Sequence, residues 1–478
     1  MKLRKTTTLA LLTLSLVYNP VFADKATNRA LTTDLNQYIH SLQQRDEFSG
    51  VVLIAEDAKP VYEFASGDAS KRYHTPINMQ TKFNTASMGK MFTSIAILQL
   101  VEQGKIDLNT PIIHYLPDYP NKKVAQQITV GQLLSHTYGL GDVFTAEFTN
   151  SSKEKYRDYK DFFPLFAHKS LAFKPGAKFQ YSNAGFVVLG AIIEKVSGEN
   201  YYDYINKHVF EPAGMKNTGY YDLVDERVTN LATGYTYAGT DGSYRRNNTD
   251  LIPVKGFPAG GLYTTAEDML QFSKALQTHT LVGKQYTDMA FKPKSSTFLP
   301  GNSKIGYGYG FIMDNTYDTP IIGHAGGIFG VADNFQVFLD KDYTVIVLMN
   351  YDNPQAMVIS ARADSIISGK ELPKAIALSA QQMDAVVGNY HITTKDVPVK
   401  SVTIQKQNNT LQAKMEWNIP KGDVSLNRPT LWQPLTPIAA DIFYLDGDFN
   451  NIITVKDNTI VLQNKMVPAM KMLGKKIS

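Results

Sequence analysis

Cysteine is absent from all 478 residues, which excludes disulfides, thiolate nucleophiles, thiolate zinc sites and lipid attachment through a cysteine. Charge of one sign is also lacking. The chain has 48 Lys and Arg against 44 Asp and Glu, and Lys2, Arg4 and Lys5 all fall at the extreme N-terminus, so the remainder is close to neutral. Such a chain has no clustered positive field to hold nucleic acid or an anionic membrane, and neither is expected as a partner. No stretch is apolar for the roughly 20 residues that span a bilayer, so stable membrane insertion is not expected. His-Glu-x-x-His and Gly-x-Ser-x-Gly do not occur, which excludes a zincin helix and an α/β-hydrolase elbow. What remains, with 43% apolar and 19% charged residues, is neither disordered nor fibrous, and it is long enough for two domains.

The N-terminus follows the pattern of an export leader: a basic start (Met1 to Lys5), an apolar stretch (Leu9 to Val17) and the ending Val21-Phe22-Ala23. Cleavage is expected before Asp24, leaving a soluble periplasmic or secreted protein. A membrane anchor is the competing reading, but the apolar stretch is about half the length needed. Beyond it, Gly50–Ala55 and Val61–Ala65 read as a hairpin around the polar Glu56–Pro60 turn, and Phe335–Leu339 with Thr344–Met349 as a second. Phe83 to Leu276 is mostly helical in pattern, with Met91, Phe92, Ile95, Leu98 and Leu100 on one apolar helix. A sheet opened early and completed only after a helical insert gives an α+β, three-layer domain. The pattern changes near Gly369–Pro373. A short helix over Ser379–Val387 then leads into alternating strands, such as Ser401–Gln405, Ile452–Val455 and Thr459–Leu462, punctuated by Asn408-Asn409 and Asn450-Asn451. This is the pattern of a small all-β barrel.

Three short motifs carry chemistry. Ser87-Met88-Gly89-Lys90 places a hydroxyl and an amine one helical turn apart, at the expected start of the apolar helix, where helix-end N–H groups favour negative charge. A lysine inside such a helix loses stability as the ammonium and becomes a proton acceptor for the serine. A helix-start serine beside a snorkelling lysine has the same spacing, which recurs in the charged stretch at Ser152/Lys155. Tyr181-Ser182-Asn183 stands at a loop-to-helix junction; Tyr119/Asn121, Tyr204/Asn206 and Tyr351/Asn353 share its spacing without that context. A phenol there acts as a base near neutral pH only if a cation such as Lys90 lowers its pKa; a tyrosine capping the core is the alternative. His324-Ala325-Gly326-Gly327 opens the late strands, where glycines let a substrate backbone come close, or make an ordinary glycine-rich hairpin. His136, in Leu133–Leu140, reads as structural. Tyr156, Tyr159, Phe162 and Phe163 read as an aromatic rim beside the site or as simple packing.

In this order, Ser87-x-x-Lys90, Tyr181-x-Asn183 and His324-x-Gly326 resemble the active-site motifs of the serine β-lactamase and penicillin-binding-protein family, in the branch with class C β-lactamases, D-aminopeptidases, DD-peptidases and esterases. The segments Thr129–Leu140 and Ala259–Met269 are similar to other stretches of that family, over a resemblance running from about Asp34 to Asn350. Val386-Val387-Gly388-Asn389-Tyr390 and the strands after it look like a lipocalin-like domain. After the leader read over 1–23, the resemblance implies a β-lactamase/transpeptidase-like domain over 24–372, with an antiparallel sheet flanked by helices plus a helical subdomain, and a lipocalin-like barrel over 373–478. It further implies Ser87 as acylated nucleophile, Lys90 with Tyr181 as the base network, and Asn183, His324, Gly326 and Gly327 as substrate-binding. The N–H groups of Ser87 and Gly327 would form the oxyanion hole. No metal or organic cofactor is implied, and the partner is a small-molecule or peptide acyl substrate. One departure bears on substrate: the family usually carries Lys-Thr-Gly or a close variant at the third motif, and here His324 stands in place of the lysine. A neutral imidazole anchors a carboxylate poorly, which favours ester or amide substrates over efficient β-lactam hydrolysis. A β-lactamase or DD-carboxypeptidase proper, and a penicillin-binding or cell-wall-interaction protein that acylates without turnover, are the alternatives.

Overall fold

The computed structural model describes residues 20–238, 244–295, 302–395, 397–417, 431–465 and 471–477. Most of the expected leader, residues 1–19, lies outside the described residues; helix α1 runs Pro20–Gln43. The first hairpin forms as β1 (Gly50–Glu56) and β2 (Lys59–Ser66). Its turn is tighter than the polar stretch suggested, because Asp57 and Ala58 both take positive φ, 50° and 57°, a primed turn whose twist matches the strands. Pro60 therefore falls inside β2, where it is tolerated because β2 is the sheet's edge. β1 is apolar from Val51 to Ala55 because both its faces are covered: Val51 and Leu53 enter one core, Val52 and Ile54 another.

Helices α2 (Gly89–Glu102), α3 (Ala184–Ser197) and α4 (Ala266–Gln277) follow, then strands β3 (Ile305–Tyr307), β4 (Ile312–Asp314), β5 (Ile321–Ile328), β6 (Val331–Phe338) and β7 (Tyr343–Met349), and helix α5 (Gln355–Ile367). The antiparallel sheet has the order β2-β1-β7-β6-β5-β4-β3. β1 pairs with β7 from Gly50↔Met349 to Glu56↔Tyr343, so the early hairpin joins the late strands as expected. α1 and α5 cover one face through Leu31, Leu35, Ile359 and Ala363. α2 and α4 cover the other, where Phe272 lies between Phe92 and Phe335, with ring centroids 4.5 and 5.8 Å away. From α2 to α3 the chain is less regular than its pattern suggested. It is built of short capped turns such as Val130–Leu134 and Tyr159–Leu165, held by buried aromatic side chains in place of helix length.

The short helix forms as α6 (Ala380–Val386), with a Ser379–Gln382 capping box. The barrel follows: β8 (Gly388–Ile392), β9 (Val399–Gln407), β10 (Thr410–Trp417), β11 (Trp432–Pro437), β12 (Ile442–Leu445), β13 (Asp448–Lys456), β14 (Thr459–Asn464) and β15 (Lys471–Lys476). Each strand lies beside its sequence neighbour and β8 pairs with β15, closing an up-and-down eight-stranded barrel. Asn408-Asn409 makes a hairpin turn, with φ of 47° and 62°. Asn450-Asn451 does not. Both residues lie within β13, where the Asp448 carboxylate accepts from the Asn450 N–H (2.9 Å) and Asn451 Nδ2 (2.6 Å); Asp457-Asn458 makes the turn instead, with φ of 48° and 60°. The two domains meet at a buried polar knot. Asp446 Oδ1 pairs with Arg45 (2.7 Å), Asp446 Oδ2 accepts from Gln355 Nε2 (2.5 Å), and the Tyr38 hydroxyl is 2.7 Å from Gln355 Oε1. Among the described residues no helix is long and apolar enough to cross a membrane.

Candidate active site

Ser87 lies in a tight turn, Ala86–Met88, that runs into α2. Ala86 takes a φ of 41°, a left-handed conformation that a residue with a side chain adopts only when its surroundings compel it. Those surroundings are visible. Asn84 Oδ1 accepts from the Ala86 N–H (2.9 Å), and the Ala86 carbonyl accepts from Gly261 N–H (3.0 Å). Gly260, at φ 149°, must be glycine because a Cβ there would overlap that carbonyl. The Ala259-Gly260-Gly261 segment noted in the sequence thus clasps the turn that presents Ser87.

Lys90, one turn further, is 0% exposed. Its Nζ donates to the Ala259 carbonyl (2.7 Å) and to Asn183 Oδ1 (2.8 Å), and is 3.1 Å from Ser87 Oγ. Burial draws its pKa down to about 7, against an opposing pull from Asp142. A neutral amine has two N–H groups and one lone pair. With the two N–H groups directed at Ala259 and Asn183, the lone pair faces the serine hydroxyl.

Tyr181 and Asn183 immediately precede α3. Tyr181 is 36% exposed overall, while its hydroxyl is buried beside Ser87. The expectation that Lys90 depresses the phenol's pKa is not met: burial raises it, with the charge of Asp142 acting in the same direction. Tyr181 is therefore a neutral proton donor. Asn183 Nδ2 donates to both carboxylate oxygens of Asp142 (3.1 and 3.2 Å), which fixes the amide so that its oxygen, not its nitrogen, meets Lys90.

Asp142 was not singled out in the sequence. It ends a cradle, residues 136–142, that holds the whole second motif. The Tyr138 hydroxyl donates to the Ser182 carbonyl and accepts from the Gly185 N–H, both at 2.8 Å; the Gly141 carbonyl accepts from Ser182 Oγ (2.7 Å). His136 Nδ1 accepts from the Ser182 N–H (3.3 Å) and its ring lies 4.3 Å from that of Tyr181. His136 is structural, as expected, but what it supports is the site.

His324 lies on β5 and is 4% exposed. Its Nδ1 is 2.6 Å from the Ala325 carbonyl, an acceptor, so Nδ1 carries the proton and Nε2 accepts from the Tyr307 hydroxyl (3.1 Å). That hydroxyl in turn accepts from Nε2–H of His136 (3.2 Å). The chain runs in one direction and leaves both imidazoles neutral. Burial and the charge of Lys90 agree with this, pushing His324 down to about 3 and His136 well below its ordinary value. Gly326 passes so close to the Ser87 turn that a Cβ would strike the Thr85 carbonyl, whereas Gly327 faces open space in the cleft beside Ser87 and Asn183. Tyr156, Tyr159 and Phe162 are buried packing rather than a rim, with Phe162 stacked on Phe257 at 4.3 Å; Phe144, 41% exposed, is the aromatic side chain that reaches the cleft from this region.

Residues 35–366 match the family described as Beta-lactamase. Among curated relatives, Penicillin-binding protein 4* of Bacillus subtilis (strain 168) is 29% identical over 349 residues, covering 70% of this chain and 76% of that protein. Among solved structures, a penicillin binding protein from Bacillus halodurans is 31% identical, with a TM-score of 0.62 over 69% of this chain and 99% of that one. The octameric penicillin-binding protein homologue from Pyrococcus abyssi, 23% identical, shares the fold over 93% of this chain and 100% of its own, with a TM-score of 0.67.

Proposed function

The chain belongs to the beta-lactamase family, and on that premise we propose that it is an exported serine hydrolase that cleaves esters or amides, D-amino-acid peptides included, through an acyl-enzyme on Ser87. The observation that carries this reading is the buried Lys90 amine, drawn to a pKa of about 7 and aimed at Ser87 Oγ. Ser87 Oγ attacks the acyl carbon as its proton passes to Lys90 Nζ. The Ser87 and Gly327 N–H groups take up the oxyanion's charge, and the Tyr181 hydroxyl, recharged from Lys90, protonates the leaving group. Water then attacks the Ser87 ester in the reverse sense and releases the acid. Asn183 and Asp142 hold Lys90 in register. His324 is a positioning residue, both of its ring nitrogens being engaged within the protein, and the third motif offers no cation to a substrate carboxylate. This ranks carboxylate-free esters and amides above β-lactams.

Residues 24–478 and a Ser87→Ala control, incubated with a fluorophosphonate probe, p-nitrophenyl acetate, nitrocefin and D-Ala peptides, test the reading. Ser87-dependent labelling and ester turnover are expected. Absence of both sinks the enzyme, and nitrocefin turnover far above the esters reverses the substrate order. Export rests on the leader pattern of residues 1–23; an N-terminus at Asp24 on protein recovered from the periplasm or medium is the expected result, an intact Met1 there refutes the cleavage, and protein confined to the cytoplasm refutes export.

A further inference from the structure

The cleft that holds Ser87 does not end at the catalytic domain. Phe144, Gly327 and Ile328 line both the pocket over Ser87 and a larger cavity of about 1320 Å³ whose far wall is the barrel. That volume exceeds the roughly 300–1,000 Å³ of ordinary small-molecule sites.

The barrel residues in this cavity all come from one end of the barrel. Val399 begins β9, Met415 lies near the end of β10, Leu445 ends β12, Leu462 lies late in β14 and Met472 lies at the start of β15. Adjacent strands run antiparallel, so starts of odd strands and ends of even ones share an end. The opposite end is closed: α6 reaches the far end of β9 through Asp384 and Lys406 (3.3 Å) and sends Met383 and Val386 into the barrel core. Among the described residues the barrel is thus a blind cup whose mouth opens on the active-site cleft. Its rim carries Trp417, 43% exposed, and the catalytic side carries Phe144, 41% exposed. Large aromatic side chains left open on both walls of one cavity mark a surface that an apolar group covers.

We propose that the barrel mouth is the substrate's distal subsite, and that it takes the apolar chain of a fatty-acyl ester or amide whose carbonyl lies at Ser87. The proposal rests on the acyl-enzyme reading for the position of the carbonyl, but the cup's affinity for an acyl chain is independent of turnover. Adaptable Met415 and Met472 suit a flexible chain, and continuity through Gly327 gives it a path from the oxyanion position into the barrel.

Two variants of the full chain test it: Met415→Trp, which fills the cup, and Leu445→Asp, which charges it; Lys400→Ala, exposed on the barrel, controls for general disturbance. In each, the ratio of kcat/KM for p-nitrophenyl octanoate to that for the acetate is measured. Independently, a dansyl-labelled decanoyl amide is titrated into the same variants in a Ser87→Ala background, and melting curves confirm folding. Wild type is expected to favour octanoate, both cup variants to lower the ratio at least tenfold and weaken probe binding at least tenfold, and Lys400→Ala to change neither. Ratios and probe affinities within twofold of wild type in both cup variants overturn the subsite. If no ester is turned over but the probe binds and the cup variants weaken it, the hydrolase reading fails and the acyl-chain site stands.

Discussion

Replacing Asp142 with asparagine keeps the shape of the carboxylate and one acceptor for Asn183 while deleting the charge. The charge stabilises the Lys90 ammonium, so its loss favours the neutral amine and moves the lysine's pKa down. The two charges are separated by one carboxamide, whose hydrogen bonds to them measure 3.1 and 2.8 Å; a separation on the order of 7 Å at an effective permittivity of about 20 is worth about 2 kcal/mol. Screening by the open cleft reduces the effect to about one pKa unit. The acid limb of kcat/KM for p-nitrophenyl acetate, which reports the free enzyme's base, is expected near pH 7 in wild type and about one unit lower in Asp142→Asn. A weaker base also lowers the plateau, by about threefold. The curves therefore cross: Asp142→Asn is slower than wild type above neutrality and about threefold faster near pH 5. Asp142→Ala, which frees the Asn183 amide to turn, is expected to lose at least about tenfold at every pH. If the limb of Asp142→Asn stays in place or moves up, or if it is slower throughout, Lys90 is not the base that titrates.

Tyr307→Phe leaves two buried imidazole nitrogens without the hydroxyl between them, and a loss of about 2–4 kcal/mol is expected in chemical denaturation; a loss under about 0.5 kcal/mol contradicts the directional chain. Gly326→Ala puts a Cβ into the Thr85 carbonyl, while Gly327→Ala puts one into open space. The first is expected to cost about 1–3 kcal/mol and the second to leave the melting temperature unchanged; equal effects refute the close approach of β5 to the nucleophile turn. At the domain junction, burial and the neighbouring Glu47 push Asp446 up to about 7 against the pull of Arg45, and Glu47 is raised as well. Raised carboxyl pKa values mean that the folded state holds the proton more tightly, so their contribution is full below about pH 4 and is lost as pH rises through about 7. Hydrogen exchange in the linker 368–379, corrected for its intrinsic rate, is expected to speed up as pH rises from about 4 to about 7 and to level off above, and Glu47→Gln to flatten that rise.

The placement of Ser87 and Lys90 at the start of a buried helix was legible because an uninterrupted apolar helix announces itself by periodicity, and a lysine within it has nowhere to snorkel. Tyr181 and Asn183 were legible by their place at a helix start. Asp142 was not. A lone carboxylate in a short loop has no periodic signature, and its partner is 41 residues away in the chain. Its one cue was position, directly after the Leu133–Leu140 segment. His136 and His324 read as unrelated because Tyr307, which joins them, is 171 residues from the first. Asn450-Asn451 misled because Asp448 supplies, from within the strand, the hydrogen bonds that asparagines otherwise find in turns. The barrel's strands were visible from alternation, but which end faces the cleft depends on docking through Tyr38, Gln355 and Asp446, and no local pattern encodes it.

Two residues with side chains take left-handed backbone at this site, Ala86 at 41° and His136 at 55°, at a cost of about 1–2 kcal/mol each. Strain of this kind persists only when neighbouring contacts over-determine it. The contacts are those that build the chemistry: Asn84 and Gly261 on Ala86, and the Ser182 N–H and Tyr307 on His136. The Ser87–Lys90–Asn183–Asp142 array is therefore assembled before any substrate arrives, and on the proposed function acylation requires no rearrangement of Ser87 or Lys90. Selectivity must then come from what lies beyond the array. At the third motif a neutral, fully engaged His324 offers no charge to read, and the next surface along the cleft is the apolar barrel mouth. On the proposed function, a rigid centre with no cation at its third motif, opening on the barrel mouth, discriminates by chain rather than by carboxylate. The octanoate-to-acetate ratio is accordingly the quantity in which this protein should differ most from a relative that carries a lysine at the position of His324.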